Sequence, residues 1–159
     1  MLMCHVLPAI KTKWPGNLSD TTIKIQQDNA RPHIEPSDKE FLRKTFEMGL
    51  KVDLVFQPPN SPDLNVLDLG FFNTIQSIQH QYEPKNMEEL VETVGTCFDR
   101  LHWTKINNNF LTLQKVMECI ILCDGNNDYK MPHISKEKLE RTGQLPMSIK
   151  ILDEIKAKL

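Results

Sequence analysis

The sequence predicts an α/β fold in which a short parallel sheet is followed by several helices. Two segments with alternating apolar and polar residues, 22–27 and 52–56, lie on either side of an amphipathic segment with a helix start signal. A strand, a helix and a second strand in this order normally form a crossover between parallel strands. Beyond residue 65, apolar residues recur mainly at helical spacing.

The composition is that of an ordinary globular chain. Of the 159 residues, 40% are hydrophobic and 25% are charged, which argues against extensive disorder. No apolar run approaches the roughly 18 residues of a membrane-spanning helix, and residues 1–10 lack the basic leader of a signal peptide. Four scattered cysteines favour a reduced intracellular compartment. We therefore expect no membrane partner. Because the net charge is −2, binding to nucleic acid would need metal ions or a local basic patch.

The crossover unit begins with a helix and a strand. Residues 2–14 place apolar side chains at helical spacing, and Pro15-Gly16 ends that segment. Residues 22–27 follow as the first strand, in which Ile23 and Ile25 alternate with polar neighbours.

A second helix and a second strand complete the unit. Ser37, with Glu40 three residues later, forms a capping-box pattern that opens a helix, and Gly49 can end it. The second strand stops at Pro58-Pro59. Two strands are too few for a stable open sheet beside this many helices, so we expect further strands outside this chain or unrecognised within it.

The rest of the chain is predicted to be helical. Asn86, with Glu89 three residues later, forms a second cap pattern, and Gly125 lies just beyond the longest helix. The stretch 124–133 is expected to be a loop. The predicted helical segments are residues 65–82, 86–101, 104–123 and 147–159.

Asp28 is the first candidate site residue. It directly follows the first strand, and the carboxyl ends of parallel strands are where α/β folds place ligands and catalytic groups. The alternative is structural, because an Asp28-Asn29 pair also commonly makes an Asx turn in a loop.

Asp68 is the second candidate, because it falls within an apolar stripe. A charge that faces a core is costly unless it has a cation or strong donors nearby. The alternative is that Asn65 caps the helix and Asp68 completes a capping box with backbone N–H groups. The apolar residues at helical spacing from Asp68 are Leu64, Phe71, Phe72 and Ile75.

The two aspartates together predict a metal site. Asp28 ends one strand, and Asp68 opens the helix after the next strand, so parallel pairing would bring both to one edge of the sheet. Clustered carboxylate oxygens suit Mg²⁺ or Mn²⁺.

Two motifs containing these aspartates resemble the catalytic motifs of mariner-like DDE transposases. The Asp28 motif is similar to the second-aspartate motif of that family, and the Asp68 motif to its third-carboxylate motif. The number of residues between the two aspartates, 39, is similar to the spacing in the plant-type branch of the family. That branch has aspartate at all three catalytic positions. The motifs read Gln27-Asp28-Asn29-Ala30-Arg31-Pro32-His33 and Gln57-Pro58-Pro59-Asn60-Ser61-Pro62-Asp63-Leu64-Asn65-Val66-Leu67-Asp68.

The resemblance implies a fold and an activity. It implies a ribonuclease H-like catalytic core, present in its C-terminal part and followed by helices, over residues 1–125, with a loop and helical tail over 126–159. It further implies Mg²⁺- or Mn²⁺-dependent cleavage and strand transfer at transposon ends in the nucleus. Asp28 and Asp68 would be metal ligands and catalytic residues. The implied partners are transposon-end and target DNA, and a second copy or an intact transposase, without a small-molecule substrate.

Two parts of the family pattern are not found in these residues. The family's first catalytic aspartate lies on a strand well upstream of the second, whereas Asp20 is the only acidic residue before Asp28 and lies in a loop-like context. The helix-turn-helix DNA-binding region is not found either. We therefore expect an incomplete catalytic site. The alternatives are a non-catalytic transposase-derived remnant or domesticated fragment, and an unrelated helical interaction module whose two aspartates are turn and cap residues.

Three further groups are weaker candidates. His33 belongs to the first motif, and a structural role that closes the turn after Asp28 is favoured over catalysis. Cys119, Cys123 and His133 are possible zinc ligands by type, although a zinc site usually has four ligands at tighter spacing. The third group is a set of basic residues that we interpret as a solvent-exposed helix face, and contact with phosphate is the less favoured alternative. It comprises Lys136, Lys138 and Arg141.

Overall fold

The computed structural model describes residues 1–158 and confirms the α/β class. The chain divides into two compact units, an N-terminal unit, Met1–Pro59, and a C-terminal unit, Asn60–Leu159. The N-terminal unit contains the sheet, and the described part of the C-terminal unit contains helices without a strand. Within residues 1–158, no helix combines the length and the hydropathy that crossing a membrane requires.

The N-terminal unit contains the predicted crossover. Strand β1, Ile23–Gln27, pairs in parallel with strand β2, Val52–Phe56, and helix α2, Lys39–Met48, connects them. Ile23 is in register with Val52, and Gln27 with Phe56. Both strands and their parallel pairing are therefore confirmed. The carboxyl ends of β1 and β2 lie at the same edge of the sheet.

The core of this unit lies between the sheet and two helices. A π-helical turn, Leu2–Val6, continues into helix α1, Leu7–Lys13, which confirms the predicted N-terminal helix. The buried residues lie on one face of each strand, at Leu7 of α1 and at Phe41 and Thr45 of α2. The core residues are Leu7, Ile23, Phe41, Leu50, Val52 and Leu54.

The start of α2 is one residue later than its sequence pattern predicts. Asp38, rather than Ser37, is the N-cap, because its Oδ1 accepts a hydrogen bond of 2.8 Å from the N–H of Phe41. A carboxylate at this position also interacts favourably with the positive end of the helix dipole. Gly49 ends the helix as predicted. Its φ of 67° is a left-handed conformation that glycine adopts without strain.

The C-terminal unit is built around one long helix, α5, Trp103–Leu122. Leu111 and Val116 on α5 are completely buried, and Cys97 and Ile155 from other helices are also buried. The other elements are a 3₁₀ turn, Pro62–Leu64, a π-helical turn, Leu67–Phe71, and helices α3, Phe72–Gln79, α4, Met87–Asp99, α6, Lys136–Arg141, and α7, Asp153–Lys156.

The helices α3, α4 and α5 confirm the three longer helical predictions. The cap of α4 is also confirmed, because Asn86 Oδ1 accepts from the N–H of Glu89 at 2.8 Å. The sequence predicts this cap because Asn86 and Glu89 lie within one helical turn of each other.

The C-terminal tail is less helical than predicted. Of residues 147–158, only α7, Asp153–Lys156, is helical, and residue 159 lies outside the described residues. Side chains of α5 bind the backbone before α7. Asn107 Nδ2 donates to Pro146 O at 2.9 Å, and Ile149 N donates to Gln114 Oε1 at 2.7 Å. These contacts hold the segment in an irregular conformation, and periodicity alone does not reveal them.

Candidate functional site

Asp28 is exposed and lies directly after β1. Its Oδ1 accepts a hydrogen bond of 2.9 Å from the N–H of Ala30, which is the Asx turn that the structural interpretation predicts. Among residues 1–158, Oδ2 of Asp28 has no protein partner. The turn therefore fixes one carboxylate oxygen and leaves the other open to solvent.

His33 closes this turn. Its Nε2 lies 2.7 Å from Asp28 Oδ1, and its N–H donates to Ala30 O at 3.1 Å. Behind the turn, the buried side chain of Gln27 donates from Nε2 to Ile34 O at 2.9 Å. The loop after β1 is thus attached at both its ends. This arrangement agrees with the structural role predicted for His33.

The segment after β2 lies at the same end of the sheet as the Asp28 turn. Gln57 N donates to Gln27 O at 2.8 Å, which extends the strand pairing by one bond. Asn29 Nδ2 donates to Gln57 O at 3.0 Å. The start of the second motif is therefore bonded to the first motif. Parallel pairing predicts that His33 and the Gln57-to-Asn65 loop flank the Asp28 edge, and the structure places His33 and Gln57, the first residue of that loop, there.

Asp68 lies in the C-terminal unit, and the prediction that it faces a core is wrong. The residue is exposed, and its neighbours Leu67 and Phe72 are themselves 41% and 49% exposed. It belongs to the π-helical turn Leu67–Phe71, in which each bond spans five residues instead of four. The regular 3.6-residue spacing used to place Asp68 in the stripe does not hold there.

The predicted cap at Asn65 is present in a modified form. Asn65 Oδ1 accepts from the N–H of Leu67 at 3.1 Å, so the side chain caps the turn. Asp68 Oδ2 accepts from Asn65 Nδ2 at 2.9 Å instead of from a backbone N–H. Oδ1 of Asp68 has no protein partner within residues 1–158. The carboxylates of Asp68 and Asp28 are thus each oriented by hydrogen bonds to only one of their two oxygens.

The two aspartates share one feature that bears on metal binding, a carboxylate oxygen without a protein partner in residues 1–158. Each is exposed, is oriented through one oxygen and has a second oxygen without a protein partner in the described part of the chain. Hard carboxylate oxygens beside solvent suit Mg²⁺, which retains several waters. Between residues 1 and 158, no group of three or more histidine, cysteine or acidic side chains is placed to hold a metal ion.

Cys119 lies on α5, and Cys123 follows the last residue of that helix. Burial, together with the neighbouring Cys123 and Glu118, raises the pKa of the Cys119 thiol. Cys119 and Cys123 are free cysteines of intermediate exposure.

Sequence reasoning missed the contact that holds the second motif within the C-terminal unit. The Tyr129 hydroxyl donates to Oδ2 of Asp63, and the bond is partly buried. Tyr129 lies in the loop after α5, 66 residues from Asp63. No local signal predicts a contact at this separation.

Replacing Tyr129 with phenylalanine tests this contact. We expect the free energy of unfolding of the C-terminal unit to fall by about 1–3 kcal/mol, because a partly buried carboxylate loses its donor. The fluorescence of Trp103 reports unfolding of this unit in a Trp14→Phe background, since the chain has two tryptophans. Tyr82→Phe is the matched control. Its hydroxyl accepts an exposed bond from Arg100, and the ring contact with Arg100 is retained. Equal losses in both variants would contradict a specific role for Tyr129.

The fold and this geometry define an α/β protein with an exposed carboxylate at the carboxyl end of a parallel strand pair. Comparisons of the chain with protein-family models, with curated proteins and with solved structures gave no match in any of the three. A functional assignment therefore depends on the two motifs and on the positions of their residues.

Proposed function

We propose that this chain corresponds to the C-terminal part of the catalytic domain of a mariner-like DDE transposase with a ribonuclease H-like core. The observation that carries the proposal is the junction of the two motifs at one sheet edge. Asp28 follows β1, Gln57 follows the parallel strand β2, and the Asn29 side chain bonds the two segments. A shared edge of this kind is where α/β proteins bind ligands.

The reaction implied is in-line displacement at a DNA phosphorus. Water attacks at the end of the element, and the freed 3′-hydroxyl then attacks target DNA. Mg²⁺ or Mn²⁺, when bound, would activate the nucleophile and stabilise the leaving oxygen. Asp28 and Asp68 would hold these ions through their unpartnered oxygens. His33 acts as a positioning residue, because it contacts the other oxygen of Asp28.

The third carboxylate is not assigned within these residues. Asp20 is a poor substitute because its Oδ2 accepts from Asn17 Nδ2 at 3.0 Å within a local turn. Asn17 Oδ1 in turn accepts from the N–H of Ser19 at 3.1 Å. The proposed partners are transposon-end and target DNA in the nucleus, and a second copy or an intact transposase that would complete the site.

Manganese binding tests the proposed site without requiring catalysis. We expect Mn²⁺, followed by electron paramagnetic resonance, to bind the wild-type chain, and Asp28→Asn or Asp68→Asn to weaken binding about tenfold or more, because each substitution removes a charged ligand. Asp53→Asn and Asp99→Asn are matched controls. Both are exposed aspartates outside the motifs, one in each unit. Unchanged affinity in Asp28→Asn would reject the assignment.

The same experiment tests whether the two aspartates share one site. Bound Mn²⁺ broadens nearby amide resonances, so a shared site would broaden those of both Asn29 and Leu69. Broadening confined to one motif would mean that the two carboxylates bind metal separately or that only one of them does so.

A non-catalytic transposase-derived fragment is the second candidate. It is favoured by the Asx turn at Asp28 and the cap at Asn65, since both aspartates already have structural roles. The DNA upstream of the Met1 codon separates the two candidates. A continuous reading frame that encodes a strand with an aspartate supports the catalytic proposal, whereas an interrupted frame favours the remnant.

A further inference from the structure

The C-terminal unit contains a basic cavity that the proposed catalytic site does not use. Its volume is about 550 Å³, and it is lined by Asn109 and Thr112 of α5, by Leu69 of the π-helical turn, by residues 131–138 and by Arg141. Three cationic side chains line it, against one carboxylate, that of Glu137. The cations are Lys136, Lys138 and Arg141.

None of these three cations forms an ion pair with a carboxylate in residues 1–158. Other basic residues of the unit do, as in the pairs Lys115–Glu118 and Lys158–Asp124. The cavity lining therefore holds three cations without a carboxylate partner in the described part of the chain. A chain with a net charge of −2 has no global positive field, so this local excess is a specific feature.

Lys136 is the most restrained of the three cations. Its Nζ donates to Thr112 Oγ1 at 2.5 Å and to Asn108 O at 3.0 Å, which fixes the ammonium against α5. Burial lowers the pKa of Lys136. Both acceptors are neutral, so the charge is partly removed from water without a compensating anion. An ammonium has three donors, and one remains for a ligand.

A neighbouring amide adds to the same environment. Asn109 lines the cavity, and its buried Nδ2 donor has no hydrogen-bond partner among the described residues. The side chain is held close to the π-helical turn, because a Cβ placed on Gly70 would lie 2.5 Å from Asn109 Oδ1. The cavity lining thus combines the amide of Asn109 on α5 and the restrained ammonium of Lys136 on α6 with two exposed cations, Lys138 and Arg141.

We propose that this cavity binds the phosphate group of a phosphate ester. Several cations around one space favour a multiply charged anion with several acceptor oxygens, and the planar guanidinium of Arg141 suits phosphate geometry. The volume exceeds that of a bare ion, so the ester has room for further atoms, and a free nucleotide and a DNA strand are the two sources of phosphate that the experiment separates. The proposal is independent of the transposase assignment, because Asp28 and Asp68 take no part in it.

The experiment measures binding in EDTA, which removes any contribution of bound metal. One probe is a short fluorescein-labelled single-stranded DNA, and the other is ATP, added as a competitor and measured alone by calorimetry. We expect Lys138→Gln and Arg141→Gln each to weaken binding about tenfold, because each removes one charge-assisted contact. For DNA, each should also reduce the slope of log affinity against log salt by about one.

Two further variants make the result specific. Glu137→Gln removes the only acidic residue of the cavity lining and is expected to strengthen binding, an outcome that misfolding does not produce. Lys105→Gln, an exposed α5 lysine outside the cavity, should bind as the wild type does. Competition by ATP would identify a free nucleotide as sufficient, and binding of DNA alone would identify the strand backbone as the source of the phosphate.

The proposal would be overturned by three results. These are no binding of either probe at low salt, wild-type affinity in the Lys138 and Arg141 variants, and an equal loss in Lys105→Gln, which would indicate diffuse attraction instead of a site. Failure of the transposase proposal would be seen separately, as unchanged Mn²⁺ affinity in Asp28→Asn.

Discussion

Replacing Phe41 with alanine is expected to lower the free energy of unfolding of the N-terminal unit by about 3–5 kcal/mol. Phe41 lies on α2, is completely buried and is the largest fully buried side chain among residues 1–158. It belongs to the core that joins α2 to both strands. Alanine would leave a cavity there. The surrounding side chains of a well-packed core move only partly into such a cavity, so most of the lost packing is not recovered.

Phe46→Ala is the matched control for this prediction. Phe46 lies on the same helix and is 87% exposed, so the same chemical change should alter stability by less than about 1 kcal/mol. Urea unfolding, followed by Trp14 fluorescence in a Trp103→Phe background, reports the N-terminal unit. A similar loss in both variants would mean that α2 does not pack as described.

The fold of the N-terminal unit was largely predictable because its signals are local. Alternating apolar residues set both strands, and Gly49 ended the helix between them. The parallel pairing then followed from the order of the elements. The one error, Ser37 in place of Asp38 as the N-cap, arose because two adjacent residues are both good caps.

The candidate site was predictable only where its contacts are local. The Asx turn at Asp28 and the cap at Asn65 each join residues within three positions. The π-helical turn that exposes Asp68 has no distinct sequence pattern, so regular helical spacing gave the wrong face. The bonds of Tyr129 and Lys136 join distant segments, and neither periodicity nor capping rules predict them. Helix α6 was missed because six mostly charged residues show no apolar period.

The second large effect concerns catalysis, and we expect the purified 159-residue chain neither to cleave nor to join DNA in Mg²⁺ or in Mn²⁺. Asp28 and Asp68 are two carboxylates, whereas the two-metal reaction needs a further ligand that bridges and fixes the ions. Loosely held ions misplace the nucleophile, and a displacement of about 1 Å can reduce the rate on the order of a hundredfold. With an incomplete ligand set, the expected rate is therefore that of the uncatalysed background.

The assay is metal-dependent nicking of DNA that carries the ends of the element, with Asp28→Ala and Asp53→Ala prepared in parallel. Wild type and both variants should give the same background level of cleavage. Circular dichroism establishes that each protein is folded, and Mn²⁺ binding establishes that only the Asp28 variant loses the ion. Cleavage by the wild type and Asp53→Ala, abolished in Asp28→Ala, would show that these residues do contain a complete site. The third ligand would then be sought at Asp20, the only acidic residue before Asp28. Because Asp20 is bonded to Asn17 in a local turn, an active chain would have to rearrange that turn, and Asp20→Asn would abolish its activity.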